Sequence, residues 1–258
     1  MTKLSILVIG LLAILAAPIN AEEMTALERI EKVYDRPDGD DMQSDLKMTL
    51  VNSRGDKRVR EIRQFSKDFG ADEKKIMFFQ APADVRNTSF MNWTYGEAGK
   101  SDDQWIFLPA LKKVKRISSD SKGDYFMGSD FTYDDLGDRH PSSDTHKIIG
   151  QEEIDGKLCT IVESLPVEDD YIYSKTLSWI ADDTWIVLKK EFFDEDGEAL
   201  KILTVEDHSE IDGYWIVTHS EMENLQRGHT TIMALDNIKL DQGVSDNKFT
   251  ERIMARGL

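Results

Sequence analysis

The feature that most constrains the fold of this chain is a succession of stretches in which apolar and polar residues alternate. Such alternation is typical of β-strands with one buried face, and Asp-Gly between two of these stretches is a strong hairpin signal. Asp155-Gly156 and Asp212-Gly213 are two such turns. The second half of the chain therefore predicts strands at residues 146–153, 157–165, 173–181, 185–193, 198–207, 214–224 and 229–240.

The first half predicts one helix and then further strands. Thr25 and Glu28 have the spacing of a capping box, and apolar residues recur at helical spacing from there to Tyr34. Strands are expected at residues 46–50, 57–65 and 75–80, and short helices near 84–88, 133–136 and 247–255. About a dozen consecutive antiparallel strands predict a mainly antiparallel α+β fold whose long sheet curls around one buried face.

The N-terminal residues have the composition of a secretory signal peptide. Lys3 precedes an apolar run over residues 4–17, and Pro18 is followed by a small residue, Ala21. We expect cleavage after Ala21, an uncleaved membrane anchor being the alternative. No linker or change in composition divides the rest, so residues 22–258 are expected to be one domain. The single cysteine, Cys159, lies far from the cleavage site, so neither a lipid anchor nor an internal disulfide is expected.

The chain is strongly acidic, with a formal net charge of −17. That balance argues against nucleic acid as a partner and against general adhesion to anionic membranes. Four positive charges nevertheless lie close together, at Lys112, Lys113, Lys115 and Arg116. This basic block is a candidate for docking to an acidic partner or for contact with phosphate headgroups. A third possibility is a solvated sheet edge, where lysines prevent aggregation.

Large apolar residues are numerous enough to line a groove as well as to fill a core. A long curled sheet covered by only two or three helices leaves a groove, and methionine suits a site that accepts variable apolar shapes. For each residue alone, ordinary core packing is the simpler interpretation. The candidates for the groove lining are Met77, Phe79, Met91, Trp93, Trp105, Phe107, Phe126, Met127, Phe131, Trp179, Trp185, Phe192, Trp215 and Met233.

Two consecutive motifs in the middle of the chain resemble those of a known family. Residues 108–116 read Leu-Pro-Ala-Leu-Lys-Lys-Val-Lys-Arg, and residues 123–136 read Gly-Asp-Tyr-Phe-Met-Gly-Ser-Asp-Phe-Thr-Tyr-Asp-Asp-Leu. Both resemble the LolA-like family of outer-membrane lipoprotein-sorting proteins, in its transporter-associated branch. The two glycines around Asp124–Met127 also suggest an apolar flap over the groove mouth, which we expect to move when cargo enters.

The resemblance implies an incomplete, half-open β-barrel of about 11–13 strands lidded by short helices. It implies a periplasmic carrier that binds the acyl chains of a lipid or lipoprotein, contacts membrane surfaces transiently and receives or delivers cargo with an inner-membrane RND-type transporter. A non-carrying adaptor of such a transporter is the alternative from a different functional class.

An enzymatic function has less support from the sequence. Ser129 lies in Gly128-Ser129-Asp130, which lacks the G-x-S-x-G pattern of a nucleophile elbow. The five histidines are scattered without the spacing of a helical zinc site. We therefore predict no enzymatic activity, no metal and no cofactor, with a lipid-acting hydrolase as the less favoured alternative.

Overall fold

The computed structural model describes residues 23–258, which form a single antiparallel sheet of 13 strands with few short helices. The predicted signal peptide lies outside the described residues. The elements are α1 (Ala26–Tyr34), β1 (Asp41–Val51), β2 (Lys57–Phe69), β3 (Asp72–Ala81), β4 (Ser89–Thr94), β5 (Asp103–Leu108), β6 (Lys113–Arg116), β7 (Asp144–Ile154), β8 (Lys157–Pro166), β9 (Lys175–Ala181), β10 (Ile186–Phe193), β11 (Ala199–Ile211), β12 (Tyr214–Asn224), β13 (His229–Leu240) and α2 (Glu251–Arg256).

The sheet is open, as the sequence predicts. Its strand order is β6-β5-β4-β3-β2-β1-β13-β12-β11-β10-β9-β8-β7, so β6 and β7 are edges that do not pair with each other. Every strand pairing joins neighbours in the chain except the seam between β1 and β13, where Met48 lies opposite Met233. The expected half-open barrel of 11–13 strands is thus confirmed. Residues 117–143, here called the central segment, connect the two edge strands.

Helix α1 begins at the predicted capping box. Thr25 accepts a hydrogen bond from the backbone N–H of Glu28, and Glu28 accepts one from the backbone N–H of Thr25. These contacts satisfy two of the N–H groups that a helix start leaves free. One face of α1 packs against the buried Val162 and Ile180 of β8 and β9, so the helix covers the sheet near the β7 edge.

The other helices differ in detail from those expected. Residues 84–87 form turns rather than a helix, because Asn87 has a left-handed φ of 66° and its N–H donates to the carbonyl of Phe79 in β3. The helix expected near 133–136 is a single 3-10 turn, Asp134–Leu136. The C-terminal one divides into a 3-10 turn, Asp246–Lys248, and α2, which Thr250 caps.

Candidate functional site

The central segment covers one face of the sheet without forming a strand or an α-helix of its own. Its regular structure is limited to four 3-10 turns of three residues each. We call the sheet face that contacts this segment the inner face. The opposite, outer face of β3 to β5 packs against α2, whose Met254 has no solvent exposure.

Phe126 is the residue by which the central segment enters the inner face. It is fully buried, with its ring centroid 5.0 Å from that of Phe90 and 6.0 Å from that of Phe79. Tyr133 closes over it at 5.7 Å. Burying a phenylalanine fully is favourable by about 1.5–3 kcal/mol. Phe126 therefore supplies a substantial part of the affinity of the central segment for the sheet.

The turn that presents Phe126 has an unusual backbone. Met127 and Gly128 are consecutive residues in the left-handed region, with φ of 50° and 75°. Glycine adopts this conformation without cost, whereas methionine does so at the expense of steric strain. The Ser129 hydroxyl, which is buried, donates to the carbonyl of Phe126 at 2.7 Å and stabilises the turn. The expected flap is thus a tight turn whose tip lies in the core.

Asp130 fixes the same turn to strand β13. Its carboxylate is fully buried and accepts a hydrogen bond from the Thr231 hydroxyl at 2.7 Å. The His229 Nδ1 atom lies 2.6 Å from the same oxygen, Oδ2. The Asp130 N–H also donates to Thr231 Oγ1 at 2.9 Å. Three contacts in one place thus connect the central segment to a central strand of the sheet.

A buried charge fixes the next part of the segment to β11. Lys201 has no solvent exposure, and its ammonium group donates to the carbonyl of Asp130 at 3.1 Å and to the carboxylate of Asp135. Burial lowers the pKa of Lys201, and the neighbouring Asp135 opposes that change. The Tyr173 hydroxyl donates to the other oxygen of Asp135 at 2.9 Å, and burial raises the pKa of this tyrosine.

The inner face of β1 to β5 changes from apolar to polar along the strands. Residues opposite each other in an antiparallel ladder share a face, so the strand register defines rows of neighbouring side chains. From the apolar end to the polar end the rows are Leu46, Ile62 and Phe79; then Gln64, Met77, Phe90 and Ile106; then Ser66, Lys75, Asn92 and Gln104; then Asp68, Glu73 and Thr94. Phe126 packs against the apolar end.

The polar end contains ionisable groups with altered pKa values. Burial raises the pKa of Glu73 to about 7, although Lys75, with its Nζ 3.6 Å from Glu73 Oε2, acts in the opposite direction. Glu73 in turn raises the pKa of Lys75. Burial also raises the pKa of Asp102, which accepts a hydrogen bond from the Asn92 amide at 3.0 Å. The inner face is therefore amphipathic, with an apolar floor and a charged, hydrogen-bonding rim.

The structure divides the predicted groove residues among different clusters. Met77, Phe79, Phe126 and Met127 come together in the apolar cluster of the inner face. Phe131, Phe192 and Met233 form an adjoining cluster with Tyr173 and Met222. Trp179 and Trp215 belong to a third cluster, which includes Leu188 and Val205, and Trp185 lies in the cluster under α1. Met91, Trp93, Trp105 and Phe107 lie on the outer face beneath α2.

The outer-face group surrounds a pocket of its own. The pocket has a volume of about 400 Å³, and Met91, Trp93, Trp105 and Phe249 are among the residues that line it. The rings of Trp93 and Trp105 meet edge to face at 5.0 Å. The Lys74 ammonium lies 3.9 Å from the centroid of Trp93. These residues are neighbours, but the sheet separates them from Phe126.

The basic block lies at the β6 edge of the sheet. Lys112, Lys113, Lys115 and Arg116 are all exposed, and Arg116 contacts the carboxylate of Asp103. The register places Lys115 opposite Ile106, in the row that includes Phe90. The lysines therefore border the inner face at one of its two open sides.

Sequence reasoning missed the polar residues that fix the central segment, chiefly Asp130, Asp135 and Lys201. One signal was present for Lys201, which occupies a position in the β11 alternation shared with Leu203 and Val205. Within residues 23–258, no three His, Cys, Asp or Glu side chains gather in a geometry suited to a metal ion. None of the helices in this range has the length and apolar character needed to cross a bilayer.

Comparison with known proteins shows extensive similarity. A family model described as an uncharacterized protein matches residues 71–256. No curated protein matches the chain. A DUF1329 family protein from Desulfovibrio piger ATCC 29098 is 29% identical, with a TM-score of 0.84, over 89% of this chain and 97% of that one.

Two further solved structures are similar over nearly their whole length. A Vibrio parahaemolyticus domain named for outer membrane lipoprotein sorting is 31% identical, with a TM-score of 0.83, over 90% of this chain and 98% of that one. A LolA superfamily protein from Nitrosomonas europaea is 21% identical, with a TM-score of 0.68, over 89% of this chain and 99% of that one, which shows the shared fold.

Proposed function

The chain belongs to the LolA-like family, and from this premise we propose that it is a carrier that binds acyl chains of a lipid or lipoprotein against its inner face. One observation supports this most directly. Phe126, at the tip of an irregular segment, occupies the apolar end of that face, where an acyl chain would find the same contacts with Phe79 and Phe90. The central segment is then an internal occupant that cargo displaces.

The energetics suit such an exchange. Each buried methylene of an acyl chain is favourable by about 0.8 kcal/mol. About two to four methylenes therefore match the contribution of Phe126 to binding of the segment, and a longer chain exceeds it. The remaining cost is the release of the polar contacts at Asp130 and Asp135. A carrier needs binding that is favourable and reversible, and an internal occupant that returns when cargo leaves supplies that reversibility.

The segment is also built for movement. Between its first and last residues it makes no backbone hydrogen bond to a strand of the sheet, and its turn stores strain at Met127. Local opening has a lower free energy where few backbone hydrogen bonds are broken. A non-carrying adaptor has no need of an amphipathic face beneath a displaceable segment. A catalytic role lacks an arrangement to support it, because the Ser129 hydroxyl bonds to backbone carbonyls rather than to a base.

Cargo binding can be tested directly. The mature protein, purified without detergent, is analysed by native mass spectrometry and by organic extraction. We expect a stoichiometric lipid or acylated peptide, or stoichiometric uptake of either when it is offered. A protein that arrives empty and stays empty would contradict the carrier function and favour the adaptor.

A disulfide tether tests the position of the cargo. The Asp130 nitrogen lies 2.9 Å from Thr231 Oγ1, which keeps the two Cα atoms within about 7 Å, near the upper limit for a disulfide. Asp130→Cys with Thr231→Cys, in a chain carrying Cys159→Ser, should bind cargo only when reduced. The reduced protein is the matched control for the two substitutions. Equal binding by the oxidised form would show that cargo lies elsewhere.

We also propose that the lysines of the basic block contact the partner to which cargo is delivered. They stand exposed beside the inner face in a chain of net charge −17, so they suit an acidic surface on an export partner such as an RND-type transporter. The setting we propose is the periplasm, with residues 22–258 acting as one domain after removal of residues 1–21. Lys112→Glu with Lys113→Glu and Lys115→Glu should leave cargo uptake unchanged and slow transfer to the partner; unchanged transfer would exclude the lysines from docking.

A further inference from the structure

Two neighbouring side chains at the polar end of the inner face have oxygens without hydrogen-bond donors. Asn92 and Gln104 are each 1% exposed and lie opposite each other on β4 and β5. Neither Asn92 Oδ1 nor Gln104 Oε1 has a hydrogen-bond partner. A buried acceptor without a donor loses its hydrogen bond to water and gains none in return, so two adjacent ones suggest a role outside the folding of the chain.

The orientation of both amides is determined by their nitrogens. Asn92 Nδ2 donates to Thr94 Oγ1 at 2.8 Å and to Asp102 Oδ2 at 3.0 Å. Gln104 Nε2 donates to the carbonyl of Tyr133 at 2.7 Å. Rotating either amide would place its oxygen against another acceptor. Thr94 and Asp102 lie outside the central segment, so Asn92 keeps this orientation when cargo displaces the segment, whereas the Gln104 amide can then turn. A ligand at the two amide oxygens must supply N–H or O–H donors.

Carboxyl groups outnumber basic groups at this end of the inner face. The carboxylates of Asp38, Asp68 and Asp138 help to raise the pKa of Glu73, and that of Asp138 also helps to raise the pKa of Asp102. The basic groups near the same carboxyl groups are Lys75, Arg36 and Lys122. Five carboxyl groups thus face three bases. An anion without donors would meet the lone pairs of both amides and an excess of carboxyl groups, whereas a cationic donor fits both, although Lys75 lies opposite Asn92 in the ladder.

We propose that this end of the inner face binds a primary ammonium group on the headgroup of the cargo. The assignment rests on the proposed carrier function and names its substrate class: an acyl lipid with a donor-bearing, positively charged head. An ammonium has three donors and no acceptor, which matches the two amide oxygens and a neighbouring carboxylate. The apolar end, one row away at Phe90, is where the acyl chain of the same molecule lies.

A matched set of lipids separates donors from charge. Phosphatidylethanolamine, phosphatidylcholine and phosphatidylglycerol with identical acyl chains share the phosphate. The first has an ammonium with N–H donors, the second a cation without donors, and the third hydroxyl donors without a cation. Native mass spectrometry of the protein with an equimolar mixture gives the relative affinities. We expect phosphatidylethanolamine to bind about tenfold tighter than phosphatidylcholine, the equivalent of about 1.4 kcal/mol. Phosphatidylglycerol should bind more weakly than phosphatidylcholine.

Substitutions then test whether the Gln104 oxygen causes the preference for phosphatidylethanolamine. Gln104→Met keeps the side-chain length and removes the acceptor, so the ratio of the two affinities should approach one. Gln64→Met is the matched control on the same face, since the Gln64 amide already donates to Ser44 at 3.0 Å; it should keep the preference. Thermal unfolding checks that both variants are folded.

The outcomes are distinguishable. Equal binding of all three lipids by the wild-type protein would overturn the ammonium site and leave the carrier function intact, with solvent satisfying the two oxygens. Binding of none of them, and of no acylated peptide, would remove the carrier function itself and the ammonium site with it. The lipid series with the wild-type protein decides the question even if Gln104→Met does not fold.

Discussion

Lys201 and Asp135 form an ion pair in the core, the lysine with no solvent exposure at its side chain and the aspartate with 5%. One charge belongs to strand β11 and the other to the central segment. A buried pair adds little net stability, but removal of one partner leaves an uncompensated charge at a cost of about 3–5 kcal/mol. The pair therefore favours this one position of the central segment on the sheet over positions that would leave either charge unpaired.

Replacement of Lys201 by Met should lower the free energy of unfolding by about 3 kcal/mol in urea denaturation. Lys189→Met is the control, because the Lys189–Glu191 pair is 30% and 24% exposed at its side chains and should contribute less than about 1 kcal/mol. The double variant Lys201→Met with Asp135→Asn should recover part of the loss. Equal stability of the two single variants would contradict the role given to Lys201.

Phe126→Ala should destabilise the protein by about 3–5 kcal/mol, the range for large truncations in a packed core. The same change should speed lipid uptake, since the acyl site loses its internal occupant. Phe193→Ala, at a partly exposed position on the sheet, is the control for each property. Stability is measured by thermal unfolding and uptake by stopped-flow fluorescence. Slower uptake by Phe126→Ala would argue that Phe126 contacts cargo rather than giving way to it.

Gly128→Ala should loosen the turn of the central segment by about 1 kcal/mol. A Cβ at Gly128 would meet nothing within 4 Å, so the cost arises from its φ of 75° alone. Hydrogen exchange should become faster in the central segment and stay unchanged in β1 and β13. Gly150→Ala is the comparison, because Gly150 has no left-handed φ and its Cβ would meet Ile161 Cδ1 at an ordinary 3.8 Å. Identical exchange in both variants would show that the turn is not strained.

Glu73 should make stability depend on pH near neutrality. Its pKa rises from 4.5 to about 7 on folding, so the folded protein binds this proton more tightly than the unfolded chain does. The resulting stabilisation is complete below pH 4.5 and is lost as pH rises through 7. Glu73→Gln should therefore gain stability relative to wild type between pH 5 and pH 8, on the order of 1 kcal/mol.

Chemical denaturation at several pH values measures this gain. Lys75 loses an ionised partner in Glu73→Gln only where Glu73 is ionised. That attraction already forms part of the Glu73 pKa, so the expected trend with pH stays the same. Glu195→Gln, at an exposed turn, is the surface control. A constant difference between Glu73→Gln and wild type across the pH range would contradict the altered pKa.

The strands were predictable because alternation and turn chemistry act locally. Asp155 and Asp212 occupy the left-handed region in the hairpin turns expected of them, with φ of 49° and 52°. The capping box at Thr25 is equally local. Local rules do not determine which face of a strand is covered, however. Met77 and Met91 were grouped from composition, but the register and α2 place them on opposite sides of the sheet.

The candidate site was predictable in its apolar part only. Phe126 and Met127 stood out in the sequence as an apolar pair between glycines. The polar contacts depend on pairs that are distant along the chain, such as Asp130 with Thr231 and Lys201 with Asp135. Nothing in the immediate sequence of Asn92 or Gln104 reveals that their oxygens lack donors. That property depends on the register of β4 with β5 and on the path of Tyr133.

The seam between β1 and β13 has a consequence for how the chain reaches its native state. Met42 pairs with Leu240, so the middle of the sheet joins residues from opposite ends of the polypeptide. Every other strand pair joins neighbours in the chain and can form early. The seam closes a loop of nearly the whole described chain and therefore forms last, with a large entropic barrier and a high contact order. Until the seam forms, the chain consists of two half-sheets, β1–β6 and β7–β13, whose unpaired inner edges at β1 and β13 can pair with other chains.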